Sequence, residues 1–441
     1  MAQAHDGVLR GRMLARTKPQ MSAVSNVSTG QRYHRTCFFP LLGVVVHLTC
    51  QAQIDPMKRQ LLQFGYNQAL EGHAPLAGYA FYYLNQPNFM HPDLTLRLAL
   101  APTYIDSEFG FNHALGPQTD LAVGIAGGGF ADSYSEIRRG RFLERESFTG
   151  HDGKASISLY HRFNPDQSIP LNGIVRGIMD YIAYEEDDET ADTFVLPPDH
   201  ATFHLLTGLR WGGREPLLRP AMAMEMSAWY EGQLRSAHGA YGFNGDRVLE
   251  ADSHRFWGRA MLAYTLPHLE HNFSVSLTAG TSLNADRFSA YRLGAALPLL
   301  REDRLDLPGY FYQEITARQF ALLNGLYMLP IDSAKHWSLT AFGATAVVDY
   351  LAGLQQAGDW HAGLGAGIGY TSAKKVWQLI LAYAYGFNAI RSDGRGAQSV
   401  VLLLQYDLEA HQREAYPSLA PVMEPERSRG LEHWLESIFG R

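Results

Sequence analysis

Sorted by parity, residues 361–390 (HAGLGAGIGYTSAKKVWQLILAYAYGFNAI) separate into two faces. Ala362, Leu364, Ala366, Ile368 and Tyr370 oppose His361, Gly363, Gly365, Gly367 and Gly369. Beyond a break, Trp377, Leu379, Leu381, Tyr383, Tyr385 and Phe387 oppose Gln378, Ile380, Ala382, Ala384, Gly386 and Asn388. Strict alternation predicts two strands joined by the turn SAKK. The pattern recurs. Leu94, Leu96, Leu98, Leu100 and Tyr104 oppose Thr95, Arg97, Ala99 and Thr103; Met222, Met224, Met226, Tyr230 and Leu234 oppose Glu225, Ser227, Glu231, Gln233 and Arg235. The segments with this character are 77–86, 93–112, 120–133, 153–163, 172–186, 202–211, 220–235, 255–266, 272–284, 313–329, 336–350, 361–371, 377–390 and 398–408.

Their connections alternate in length. HALGPQTD, NPDQSIP, PHLEHN, IDSAKH and SAKK are short, whereas the links around 134–152, 187–201, 236–254 and 285–312 are long, polar and rich in Gly, Asp and Arg. A water-soluble β-sandwich shares the period of two, but its strands are shorter and its loops do not alternate in length. Strands of about ten residues with short turns on one side and long loops on the other predict an all-β transmembrane barrel of 14–16 antiparallel strands. The apolar face, with Trp337, Trp377 and Tyr370 near strand ends, meets lipid, and the glycine-and-serine face lines the interior. An even strand count puts both termini on the short-turn, periplasmic side.

Composition agrees: with 12% aromatic residues, 42 glycines and only 18% charged residues, the 441-residue chain suits many strands and turns. The formal net charge of −7 gives no basic excess to neutralise phosphates, which excludes nucleic acid as a partner. Both cysteines, Cys37 and Cys50, fall in RYHRTCFFPLLGVVVHLTCQAQ, where two arginines precede an apolar run too short to span a membrane. That layout predicts a signal peptide over 1–52, with Met21 as an alternative start. The domain reading is then a periplasmic segment over 53–76, a barrel over 77–408 and a periplasmic tail over 409–441. In the tail, Leu431, Trp434, Leu435, Ile438 and Phe439 are spaced for an amphipathic helix.

One stretch is more specific: YRLGAALPLLREDRLDLPGYFYQEITARQFALLNGLYMLPI, 291–331. It resembles the loop-and-strand element of the bacterial surface antigen superfamily, the BamA/TamA-type outer-membrane barrels. Leu293-Gly294 stands at the strand end, Leu307-Pro308-Gly309-Tyr310 in the Gly-aromatic loop, and Asn324–Pro330 in the following strand. HAGLGAGIGYTSAKKVWQLILAYAYG is similar to that family's penultimate hairpin, and five predicted strands follow the loop. The resemblance covers 285–408. It implies an outer-membrane location in a Gram-negative-type envelope, a role in outer-membrane biogenesis or protein translocation, and outer-membrane lipids and assembly machinery as partners. It also makes Leu293, Gly294, Gly309 and Tyr310 the functional loop. The chain departs from the family at Pro308, where an arginine is usual. Only about 24 residues separate the predicted signal from the first predicted strand, which leaves no room for POTRA domains.

Gly309 supplies a turn that a Cβ obstructs, and the Tyr310 hydroxyl can find a lumen partner such as an inward arginine. Parity turns Arg97, Lys154, Arg162, Arg176, Arg210, Arg235 and Arg259 inward, with Asp180, Glu225 and Glu231. Two readings follow: a water-filled pore or transporter for small solutes with a mild preference for anions, or a cross-barrel salt-bridge ladder that stiffens a narrow interior. EEDDETAD, 185–192, offers carboxylates to divalent cations but lacks calcium-loop spacing, and reads as a solvated extracellular loop. GIAGGGF, 124–130, has neither the helix nor the lysine of a phosphate loop; its glycines suit tight curvature. There is no HExxH or GxSxG. The reading is therefore non-enzymatic, without cofactor or metal site; a barrel-borne lipid hydrolase, which needs no local motif, is the remote alternative.

Overall fold

The computed structural model describes residues 58–167, 169–213, 222–266, 269–295, 305–392 and 394–410. The expected signal peptide and the tail helix lie outside the described residues. In chain order the strands are β1 (Arg59–Ala69), β2 (Ala77–Gln86), β3 (Leu94–Ala101), β4 (Tyr104–Phe111) and β5 (Thr119–Gly128). A two-stranded hairpin, β6 (Ile137–Arg138) and β7 (Arg141–Phe142), precedes β8 (Phe148–Arg162), β9 (Leu171–Glu186), β10 (His200–Gly213) and β11 (Met222–Arg235). A second hairpin, β12 (Gly239–Tyr241) and β13 (Arg247–Leu249), is followed by β14 (Asp252–Thr265), β15 (Asn272–Leu283) and the short β16 (Tyr291–Leu293). The chain ends its barrel with β17 (Ile315–Pro330), β18 (Trp337–Tyr350), β19 (Trp360–Thr371), β20 (Trp377–Arg391) and β21 (Gly394–Asp407).

Sixteen of these are staves of one closed antiparallel barrel; the two hairpins and β16 belong to loops. Each stave pairs with the next in sequence, and β21 returns to β1, from Leu61↔Asp407 to Ala69↔Ser399. Closure pairs the backbone of every stave on both sides, which hydrocarbon requires because it offers no water to an unpaired amide. No helix of the described residues is long and apolar enough to cross a membrane. The fold is that of an outer-membrane β-barrel.

Parity reads the faces correctly along most staves. Leu381 is 49% exposed on the lipid face and Ile157 55%, whereas Ser158 and Ala384 on the lumen face are 1% and 0%. Two expectations are corrected. Residues 59–69, assigned to a periplasmic segment, form β1, so the barrel starts at 59 rather than 77. There Leu62, Phe64 and Tyr66 face out, but the inward Leu61 abuts Leu62 and blurs the alternation. Segment 93–112 is two staves: Ala101 pairs with Tyr104 across a turn at Pro102-Thr103. A two-residue turn reverses which parity faces lipid, so Tyr104 points inward and is 6% exposed. Proline inside a presumed strand marks such a break.

The short turns at 112–118, 163–170, 331–336 and 372–376 share the end that holds both chain ends of the barrel, and the long loops share the other. This orientation carries two expected outcomes. Leu381→Arg at the lipid face costs about 2–4 kcal/mol near the bilayer midplane, whereas the lumen-facing Gln378→Arg stays within about 1 kcal/mol; equilibrium folding into lipid vesicles compares them. Epitope tags after Asp188 or Asn244 are reached on intact cells, and tags after Gln167 or Lys374 are reached only once the outer membrane is permeabilised.

Candidate functional site in the loop-capped lumen

The lumen charges form a ladder on the wall from β3 to β14. Arg97 places Nη2 3.3 Å from Asp106 Oδ1 and Nε 3.7 Å from Glu108 Oε1. Arg176 pairs with Glu108 and donates to the Ser158 and Tyr160 hydroxyls at 2.6 and 2.7 Å. One tier along, Lys154 Nζ lies 2.7 Å from Asp152, 3.0 Å from Asp180 and 3.7 Å from Asp132. His204 stands between Asp180 and Glu231, 3.7 and 3.5 Å away, and Glu231 also takes Arg255. Arg259 meets Glu225 at 2.8 Å. Arg210 pairs in register with Ser227, whose hydroxyl donates to the same Glu225. Arg235 reaches up to Asp286 in a loop.

Most of the inward charges expected from parity thus pair with carboxylates along the wall. Arg162 stands apart from them and donates to the Gln167 carbonyl of its own turn. Asp106 and Glu108 were missed because parity was carried through the Pro102-Thr103 turn. Asp132, Asp152 and Asp180 bring carboxylate oxygens within 4.8 Å of one another, but the Lys154 ammonium stands among them and supplies the positive charge itself.

The loop from β15 to β17 turns inward. Its first part adds β16 to the edge of β17, burying Leu293 completely. Gly294 bridges to Asp306 in parallel, and a Cβ there would overlap the Phe311 carbonyl. The loop tip then lands on the wall. Gly309 has φ +84°, and a Cβ on it would overlap the Gly386 nitrogen; one on Gly363 would overlap the Pro308 carbonyl oxygen. Gly363 and Gly386 are register partners on β19 and β20, so loop backbone rests on wall backbone. The contact is made by the Pro308 and Gly309 main chain.

Tyr310 is fully buried beside that contact, its hydroxyl 3.1 Å from His361 Nδ1, while His361 Nε2 lies 2.6 Å from the Tyr350 hydroxyl. Its partner is thus a histidine rather than the inward arginine expected. Burial pushes the Tyr310 phenol well above its ordinary value, so it stays protonated. Four residues on, Glu314 accepts two bonds of 2.9 Å from Arg391 and one of 2.7 Å from the Phe311 amide. The Arg391 guanidinium lies 3.7 Å from the centre of the Phe311 ring. His361, Gly363 and Gly386 belong to the stretch whose glycine face was evident from alternation; its single histidine was the available signal.

Above the lumen the long loops form a cap. Tyr134, Phe148, Phe194, Tyr241 and Leu249 pack with Phe288, joining loops that leave four different staves. The fully buried Glu136 takes Arg287 at 3.0 Å, Arg138 at 3.3 Å and Arg247 at 3.6 Å, and accepts from the Tyr134 hydroxyl at 2.7 Å. Burial opposes its charge, yet Arg287 and Arg247 outweigh it and hold the carboxyl below its ordinary value. The acidic loop remains largely solvated, with Glu185, Glu186, Asp188 and Glu189 exposed. Beneath the cap lies a cavity of about 680 Å³, lined by Lys154, Asp180, His204, Arg255, Tyr291 and Phe311 among others, a volume typical of small-molecule sites.

No protein-family model matches the chain, and no curated protein does either. Solved barrels do. CdiB from Acinetobacter baumannii aligns at TM-score 0.52 and 9% identity over 79% of this chain and 60% of that one. CdiB from Escherichia coli gives 0.52 and 11% over 80% and 64%. BamA from Haemophilus ducreyi, lacking POTRA domains 1–3, gives 0.49 and 11% over 79% and 70%. The chain thus spans less than two thirds of the CdiB chains it matches. At these identities the likeness to the two CdiB barrels is one of fold.

The cap's dependence on Glu136 has a pH signature. Because its folded-state pKa is depressed, its contribution is complete above the unfolded carboxyl value of about 4.3 and is lost as pH falls below it. Limited proteolysis of the cap loops is therefore unchanged from neutral pH to mild acid and rises only below that value. Glu136→Gln, which leaves Arg247 and Arg287 without their shared anion, raises cleavage at neutral pH.

Proposed function

We propose that this protein is an outer-membrane barrel of surface-antigen type, closed at rest by its own inward loop, that works in outer-membrane biogenesis or polypeptide translocation without covalent chemistry. The supporting observation is the seat of Pro308, Gly309 and Tyr310 on Gly363 and Gly386. Three glycines fit the backbone of this loop to the wall, which narrows the lumen at that point. A barrel that opens for a client needs a resting plug that is specific yet releasable, and a contact of one turn and a few hydrogen bonds meets that description. Outer-membrane lipids and the assembly machinery are the partners of this reading.

Planar-bilayer recording of the purified barrel tests the closed state. The wild type gives small, erratic openings. Gly309→Val, which combines a left-handed backbone with an overlap against Gly386, frees the loop and raises both mean conductance and cellular sensitivity to large antibiotics. Large, steady wild-type channels would instead identify a passive pore. The client role is read separately, by depleting the protein and comparing outer-membrane proteomes: loss of particular barrels or exported chains is expected, and an unchanged proteome would remove it.

A further inference from the structure

The wall of the barrel is not level at the loop end. β3 and β4 have 8 residues each, against 15 and 16 in β8 and β9. At the usual tilt, 8 residues rise about 20 Å, short of an apolar band of about 25 Å. β2 pairs with β1 from Ala77 to Asn85, but with β3 only from Tyr82 to Gln86. It therefore rises past the Pro102-Thr103 turn, as β8 does on the other side of β5, where their register stops at Gly128↔Asp152. Lipid-facing Leu100 and Ile105 flank that turn, so the apolar band runs up to the notch itself.

The loop after β5 arches over this notch. Its Gly140 abuts the Ile390 carbonyl at the top of β20, and its Glu144 lies 3.0 Å from His73 in the β1–β2 loop. The capped cavity is lined on one side of the notch by His73–Ala77 and on the other by Phe130–Ser135. Arg292 stands on the second side, donating to the Ser135 carbonyl at 2.7 Å with its guanidinium 4.8 Å from the centre of the Tyr134 ring. Lys154, Arg235, Arg255 and Arg287, which also line the cavity, each face a carboxylate. Among the described residues Arg292 has no carboxylate partner within ion-pair distance, and its Nε is buried without a hydrogen bond.

We propose that the gap over β3–β4 is a lateral portal through which the anionic headgroup of a lipid in the loop-side leaflet enters the capped cavity. The acyl chains stay outside against Leu100 and Ile105, and the headgroup phosphate meets Arg292, whose planar guanidinium suits a phosphate. This is independent of the client role, and a lipid could use the portal with the inward loop still seated.

The test uses the full chain with Cys37 and Cys50 replaced by serine, folded into phosphatidylcholine vesicles carrying a phosphatidylethanolamine with a maleimide on its headgroup. Ile178→Cys, in the cavity wall and only partly buried, acquires the lipid adduct, as does Ile182→Cys if the first variant folds poorly. Leu76→Trp, which narrows the gap, slows that labelling about tenfold. Excess phosphatidylglycerol suppresses it several-fold and Arg292→Gln abolishes the suppression, whereas soluble glycerol phosphate at matching concentration has no effect. No adduct on either folded cysteine variant overturns the portal, as does labelling indifferent to Leu76→Trp. Phosphatidylglycerol without effect removes the role of Arg292, and suppression by glycerol phosphate makes the site a phosphate site open to solution.

Discussion

Hydrocarbon gives an unpaired amide nothing to bond to, at several kcal/mol for each group left bare. That constraint organises the whole chain. It forces sixteen staves into a ring in which β21 must find β1, and it makes every side chain choose between lipid and lumen. The lipid face is then dominated by apolar and aromatic residues, and most buried charges lie on the inside.

Confinement explains the ladder. Arg97, Arg176, Lys154 and Arg259 cannot turn outward, and a narrow interior does not hydrate them as bulk water would. Each therefore sits against carboxylates, those of Arg97 and Arg259 on a neighbouring stave and that of Arg176 across the lumen wall on β4. Buried pairs of this kind bring little net stability, because desolvation offsets their attraction, but removing one partner leaves a buried charge without compensation. They hold the wall in one register rather than adding strength to it.

The inward loop answers a different demand. A loop inside a polar lumen could be held by charge, and Glu314 with Arg391 does part of this. The tip is instead held by fit: with no side chain on Gly309, Gly363 or Gly386, main chain meets main chain, and Tyr310 fills the space beside them. Pro308 adds a carbonyl contact to the wall at Gly363.

Alternation alone determined the barrel, the lipid and lumen faces of most staves, the long-loop end and the inward position of Arg97, Arg176, Glu225 and Glu231, because side-chain direction in a strand is a local, two-residue matter. Loop lengths also marked 285–312 as one of the long links. Alternation failed at Pro102-Thr103, where a turn shorter than any polar cluster reversed the parity and hid Asp106 and Glu108. Arg176 with Glu108, Arg287 with Glu136 and the landing of Gly309 on Gly363 and Gly386 join residues tens to over a hundred positions apart. Those pairings depend on barrel closure and strand stagger, which set how far each stave slides past the next, and no local pattern encodes them.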